Sequence, residues 1–294
     1  MKRVKLLIVA VVLGITAHAE LLVTEDFNYE SGAGMPVGSW FFQWPNTYSG
    51  MAVVTPGLSF PGYPGSEIGN ALLMEGDYSN DQPHLAFKEV TSGDVFVAFM
   101  IEPTLVTKSG WFLTLRDNKV DNSTFNYCAR VYVTEDDTLG LRFFKKAEAV
   151  FKKWELKSDK TYLLLLKYHI VAGNHNDEIS LYAFEEMPTT LPAEPLIGPL
   201  TDPEAPDINP AHVVLHGFDD DGWLTVDGIR VATTWEEALG ITSEEPDEPD
   251  RPENPDEGVD AIHSGKSSAV KVYRNGQIVI LRNGKAMNIL GQTL

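Results

Sequence analysis

The chain has one cysteine, Cys128, in 294 residues. No internal disulfide can form, so the fold has to be held by a buried core. Long apolar runs are also missing. The longest, 6–15, has about ten residues where a membrane span needs ~20. Basic residues are few, 23 Lys and Arg against 42 Asp and Glu, for a net charge of −19. Such a surface repels nucleic-acid phosphates and anionic headgroups, which argues against either as a partner. Catalytic signatures are lacking too. His212 and His216 are four apart, but in a strand that spacing separates them by ~13 Å, so they do not make the paired helical zinc ligands of an H-E-x-x-H site. Cys128 lies in an apolar strand-like run, where it reads as a small buried residue. No Ser-His-Asp or Cys-His signature accompanies it, and no catalytic residue is assigned.

What is present begins with a basic start (Lys2, Arg3, Lys5), the apolar run, and Ala17-His18-Ala19 before Glu20. This pattern predicts a secretory signal over 1–19 with Ala17 and Ala19 at the cleavage site. Its loss leaves 20 basic against 42 acidic residues, a balance of −22. Over 20–240, short β-branched and aromatic runs alternate with Gly, Asn and Asp: 71–74, 95–101, 111–116, 125–134, 139–144, 162–171, 178–184, 213–215 and 223–231. That rhythm predicts antiparallel strands, an all-β sandwich with one core. Thr234-Trp-Glu-Glu-Ala-Leu-Gly240 alone looks helical, with Thr234 as N-cap, Glu237 in capping-box position and Gly240 as the stop.

A disordered linker is predicted over 241–268. Its segment 243–260 holds nine carboxylates, one arginine and prolines at 246, 249, 252 and 255. No core can form there. The three-residue period matches polyproline II, so the segment reads as an extended spacer of up to ~50 Å, with a proline-motif ligand as the alternative. Beyond it, 269–294 carries runs at 270–274, 277–281 and 285–290 joined by Asn275-Gly276 and Asn283-Gly284, the preferred residues of type I′ hairpins. This predicts a three-stranded β-meander, marginal by itself at about 25 residues.

The tail, "VKVYRNGQIVILRNGKAMNILGQTL", resembles the C-terminal sorting signal of cargo exported by the type IX secretion system of Bacteroidetes. The resemblance rests on Asn275-Gly276-Gln277, the Ile-rich strand, Asn283-Gly284-Lys285 and Leu290-Gly291-Gln292. It implies export across both membranes, the secretion machinery as the tail's partner, and a product released or held at the outward face of the outer membrane. A terminal meander packed on the sandwich is the alternative. The body, in 21–32 and 216–239, resembles extracellular concanavalin-A-like lectin/glucanase (laminin-G-like) domains. That likeness implies a jelly roll, with Asp227 and Arg230 as structural residues.

Candidate sites are sparse. The segment 40–50 brings together Trp40, Trp44 and Tyr48, aromatic residues of the kind that stack on sugars, with core packing as the alternative. Asp219, Asp220 and Asp221 supply hard oxygen donors suited to calcium. They lack the spaced acids and later glutamate of an EF-hand, and a solvated turn is the alternative. Acids from other loops, such as Asp77 or Asp81, would have to complete the site. A glucanase of this class would carry Glu-x-Asp-x-x-Glu on one strand. The nearest stretch, from Glu178, lacks the second and third acids, so Glu178 reads as a strand-edge charge. Asp137-Thr138-Leu139 resembles an acceptor for periplasmic O-glycosylation at Thr138. Together these features describe a secreted or surface-displayed, non-enzymatic module for a glycan or protein ligand. A jelly-roll glycoside hydrolase and a structural surface or matrix component are the alternatives.

Overall fold

The computed structural model describes residues 19–43, 50–75, 82–119, 126–217, 222–241, 270–274, 277–282 and 285–287. Two compact units divide the chain, 1–244 and 245–294. In the first, the elements in chain order are β1 (Leu21–Glu25), β2 (Trp40–Phe42), β3 (Met51–Val54), β4 (Ala71–Glu75), β5 (Pro83–Ala86), β6 (Gly93–Leu105), β7 (Gly110–Arg116) and β8 (Tyr127–Val133). They continue with β9 (Thr138–Arg142), β10 (Val150–Lys153), β11 (Tyr162–Ile170), β12 (Glu178–Phe184), β13 (Ile197–Leu200), β14 (His212–Leu215), β15 (Trp223–Ala232) and α1 (Trp235–Leu239).

The strands form two antiparallel sheets packed face to face. One has eight strands, in the order β13-β12-β11-β6-β15-β4-β3 with β1 also on β15; the other has seven, in the order β10-β9-β8-β7-β14-β5-β2. Side chains of both sheets share one core, and across it Phe99 and Phe112 meet edge to face at 6.0 Å. The expected antiparallel sandwich is therefore the fold. Core and outward residues alternate along the strands because successive side chains point to opposite faces.

Strands β6 and β11 break the usual apolar-polar alternation, and their surroundings explain why. Val95, Val97, Phe99 and Ile101 of β6 and Leu164 and Leu166 of β11 face the sandwich core. The intervening Phe96, Ala98 and Met100, with Leu163 and Leu165, face a second cluster built from Leu58, Phe60, Tyr63, Ala238 and Leu239. The eight-stranded sheet is thus covered on both faces, by its partner sheet and by the 58–63 loop with α1. A strand buried on both sides reads as a continuous apolar run.

Polar groups pin this cover. Asp227, fully buried, accepts hydrogen bonds from the N–H of Leu58 at 2.7 Å and of Gly228 at 2.6 Å. Burial raises its carboxyl to about 8, against the pull of those two donors. Arg230 donates to the carbonyls of Ala238 and Glu237, both at 3.1 Å, satisfying the end of α1. At the other end of α1, the Thr234 hydroxyl accepts from the N–H of Glu237. Gly240 takes φ +68° to close it, and a Cβ there would lie 2.0 Å from Pro64 Cγ. The expected cap, stop and structural roles of Asp227 and Arg230 all correspond to these contacts. No helix among the described residues is long and apolar enough to cross a membrane.

In the second unit, β16 (Val270–Arg274), β17 (Gln277–Arg282) and β18 (Lys285–Met287) form an antiparallel meander. Arg274 pairs with Gln277 and Arg282 with Lys285, so each connection has two residues, as the Asn-Gly pairs predict. Of the run expected over 285–290, residues 285–287 are described as β18 and 288–290 lie outside the described residues. The spacer lies outside the described residues.

Candidate functional site

Trp40 is a core residue, 4% exposed, stacked on Phe27 at 6.0 Å with its indole N–H donating to Glu25 Oε2 at 2.9 Å. It takes the packing alternative and presents no ring to a sugar. Trp44, Tyr48, Asp77, Asp81 and the calcium candidates Asp219, Asp220 and Asp221 lie outside the described residues. So do Ala17, Asn275, Gly276, Asn283, Gly284, Leu290, Gly291 and Gln292, while Ala19 is described and Gln277 and Lys285 open β17 and β18. Thr138 opens β9, and its hydroxyl is hydrogen-bonded to that of Thr134 across the hairpin. Glu178 opens β12 opposite His169, in the eight-stranded sheet. Among the described residues, no three His, Cys, Asp or Glu side chains are grouped to hold a metal ion. Cys128 is buried and free, and burial pushes its thiol well above the usual range, so it is no nucleophile.

The structure draws attention to a different place, the outer face of the seven-stranded sheet. Leu113, Leu115, Val131, Val133, Leu139 and Leu141 fill the core. Strand alternation then turns Arg130, Tyr132, Gly140 and Arg142 outward, and an irregularity in register between Trp111 and Leu113 brings Trp111 to the same side, against Arg130 and Tyr127. Register sets them in rows. Trp111 pairs with Tyr132, Tyr132 with Gly140, and Gly140 with Phe151, while Arg130 pairs directly with Arg142. An aromatic row therefore runs across four strands beside a pair of arginines.

Contacts hold these side chains together: Tyr132 is 8% exposed, and the Trp111 ring lies 3.9 Å from that of His216 between ring centres. Phe151 meets Tyr132 edge to face at 5.8 Å and is 43% exposed. Gly140 makes this approach possible, because a Cβ there would lie 2.5 Å from the Phe151 ring. The Arg130 guanidinium lies 4.8 Å from the Trp111 ring centre and 5.9 Å from that of Tyr127, and Arg142 lies 5.5 Å from that of Tyr132. Neither arginine has an ion-pair partner among the described residues, and the Nε of each is without a hydrogen bond there.

Farther along the same face, the rings of Phe41, His84 and His212 pack together, with centroids 5.4–6.1 Å apart. Burial, and then the nearby Arg116 charge, lowers His84 to about 3 and His212 to about 4, so both imidazoles are neutral at pH 7. Tyr127 donates to Gln82 Oε1 at 2.9 Å, and Arg116 to Gln43 Oε1 at 3.3 Å.

The charge distribution sets this sheet apart. Its seven strands contain five Lys or Arg and no Asp or Glu, in a chain with 42 acids. The strands of the other sheet carry Glu25, Glu75, Asp94, Glu102, Glu178 and Asp227. None of these outward residues stood out in the one-dimensional reading. The available signal was acid-free strands with aromatic and basic residues two apart, Arg130 and Tyr132 above all.

Comparisons with solved structures find β-rich relatives in shape. The globular domain of T. cruzi calreticulin matches 76% of this chain and 91% of its own, at 13% identity and a TM-score of 0.43. The cellulose induced protein Cip1 matches 72% of this chain and 97% of its own, at 15% identity and 0.43. A carbohydrate esterase from the Shiga toxin-encoding bacteriophage phi24B matches 73% and 99%, at 13% identity and 0.40. No family model matches the chain, and no curated protein matches it in sequence.

Proposed function

We propose that the 20–240 body is a non-enzymatic glycan-binding module displayed outside the cell, and that the 269–294 tail is its export address. The observation that carries the binding reading is the row of Trp111, Tyr132 and Phe151 on the outer face of the seven-stranded sheet. On this face Phe151 is 43% exposed and Trp111 partly exposed, while Tyr132 is 8% exposed. An exposed ring such as Phe151 offers an apolar face to the C–H face of a pyranose ring, with the part-exposed Trp111 on the same sheet face. Two-carboxylate glycoside hydrolysis gains no support from this sheet, since its strands hold no acid for either role.

Phe151 gives the direct test. It is exposed on the edge strand β10, so Phe151→Ala is expected to leave the melting temperature unchanged within a degree or two while weakening retention on glycan matrices. Removing a stacking ring of this size costs roughly tenfold in affinity, by analogy with aromatic contacts of about 0.5–1.5 kcal/mol. Unaltered retention would remove the row from the site. Release of new reducing ends from a mixed polysaccharide panel would replace the binding reading with an enzymatic one.

The address reading has the amino-terminal signal pattern and the sorting-like tail as its support. Deleting 269–294 is expected to leave the body folded but trapped in the periplasm, followed by fractionation and surface labelling. Surface display of the truncated chain would sink this part of the proposal.

A further inference from the structure

Strand β10 is a free edge of the seven-stranded sheet. Val150, Phe151, Lys152 and Lys153 are all exposed, and among the described residues their backbone bonds to β9 alone. An antiparallel strand turns the N–H and C=O groups of alternate residues away from its neighbour, so this edge offers them to a further strand. Lysines on a short edge are a common guard against pairing between copies. That role leaves two observations unexplained. Val150 and Phe151 are 37% and 43% exposed, apolar surface that a guard does not need. Val150 and Lys152 also sit opposite the core residues Leu141 and Leu139, and a hollow opens beside each. The one at Val150, about 240 Å³, is walled by Phe143, Ala147 and Leu200, and the one at Lys152, about 410 Å³, by Trp154, Tyr182 and Leu196. Hollows beside residues two apart match the spacing at which a paired strand presents side chains to one side. Glu148, Asp202 and Glu204 border the first and Glu194 the second, which turns acidic side chains away from both.

Charge selects the guest. Residues 145–153 carry four exposed lysines, Lys145, Lys146, Lys152 and Lys153, against Glu148 alone, and none of the four has an ion pair among the described residues. From this edge, its hollows and its lysines we infer that β10 docks an extended segment of another protein in which apolar side chains alternate with Asp or Glu. The guest adds a strand to the sheet, sets its apolar side chains over the hollows, and carries its acids on the outer side with Lys153. Charge decides for an acidic guest over a second copy of this chain, whose β10 would set the same lysines against these. The pairing uses the edge of the sheet, so it leaves the face that bears Trp111 open and stands whether or not a glycan binds there.

The test uses the full chain and the peptide acetyl-Thr-Glu-Val-Glu-Val-Glu-Thr-amide, with calorimetry and hydrogen exchange as readouts. Binding that slows exchange of the amides of 150–153 is the expected result. The same peptide with lysine for glutamate should bind about tenfold more weakly or worse, although the net charge of the whole chain, −19, would favour it. Methylating alternate amide nitrogens of the peptide separates strand pairing from charge alone, because only one alternate set faces β10. One methylated form should lose about tenfold in affinity and the other little. Lys152→Glu combined with Lys153→Glu should weaken the acidic peptide about tenfold and leave the melting temperature nearly unchanged. Equal affinity for the two charge forms would overturn the acidic guest. Equal loss from both methylated forms, or none from either, would overturn strand pairing. Absence of binding would overturn the inference outright, as would a dimer of the chain that the peptide disperses, which would assign the edge to a second copy.

Discussion

Replacing Phe99 by alanine is expected to lower the free energy of unfolding by about 3–5 kcal/mol, the largest loss for any single residue named here. Phe99 lies in β6, the 13-residue strand paired with both β11 and β15, and is fully buried. Its ring meets Phe112 of the opposite sheet, so truncation removes apolar burial, an aromatic contact and the filling between the layers. Neighbours on two paired strands cannot collapse into the gap without shifting register, and the cavity cost is therefore retained. Urea unfolding followed by tryptophan fluorescence measures the effect. A loss below about 1 kcal/mol, which is what a surface substitution gives, would contradict the placement of Phe99 between the sheets.

The second large effect belongs to Glu25, which joins the sheets through polar contacts. It is 6% exposed and accepts three hydrogen bonds: from the N–H of Phe27 at 2.7 Å, the hydroxyl of Tyr29 at 2.8 Å and the indole N–H of Trp40 at 2.9 Å. Strand β1 belongs to the eight-stranded sheet and Trp40 to the seven-stranded one. Glu25→Ala is expected to cost about 2–5 kcal/mol, because each buried donor left unpaired costs about 1–3 kcal/mol and Tyr29 can turn partly to water. Glu25→Gln keeps one acceptor and should lose less. Burial raises the Glu25 pKa above its ordinary 4.5, partly offset by these donors. A raised folded pKa means that this group's contribution to stability is full below the unfolded value and is lost as pH rises through the folded one. The wild type should therefore gain on Glu25→Gln as the pH falls from 7 to 4, read from urea midpoints of both proteins. A difference that shrinks on acidification would contradict the burial of this carboxyl.

Much of the architecture was legible in the order of residues. Strand 178–184 coincides with β12, and the runs at 71–74, 111–116 and 162–171 match β4, β7 and β11 to within a residue or two. The capped helix and the two-residue connections of the tail were also readable. Strands β1, β2, β3, β5, β10 and β13 are missing from the expected runs, and all but β1 are only three or four residues long, too short for a periodic signal. Two of them contain proline, and β10 is exposed throughout. The candidate site fared worse. Trp40 was singled out for its aromatic company, yet its place depends on Phe27 and Glu25 from another strand.

The sequence by itself determined the features that depend on neighbours a few residues apart: the turns at Asn-Gly, the cap at Thr234, the period-two strands and the acidic, proline-spaced segment. Their energies are local, and their chemistry can be read from the residues present. Only the tertiary structure decided which strands share a sheet, which sheet face is covered by the 58–63 loop and α1, and that Trp111, Tyr132, Gly140 and Phe151 fall in one row beside Arg130 and Arg142. The physical reason is register. A slip of one residue between paired strands turns every side chain to the opposite face, and which register wins is settled by packing across the whole core, beyond the reach of any short window of sequence.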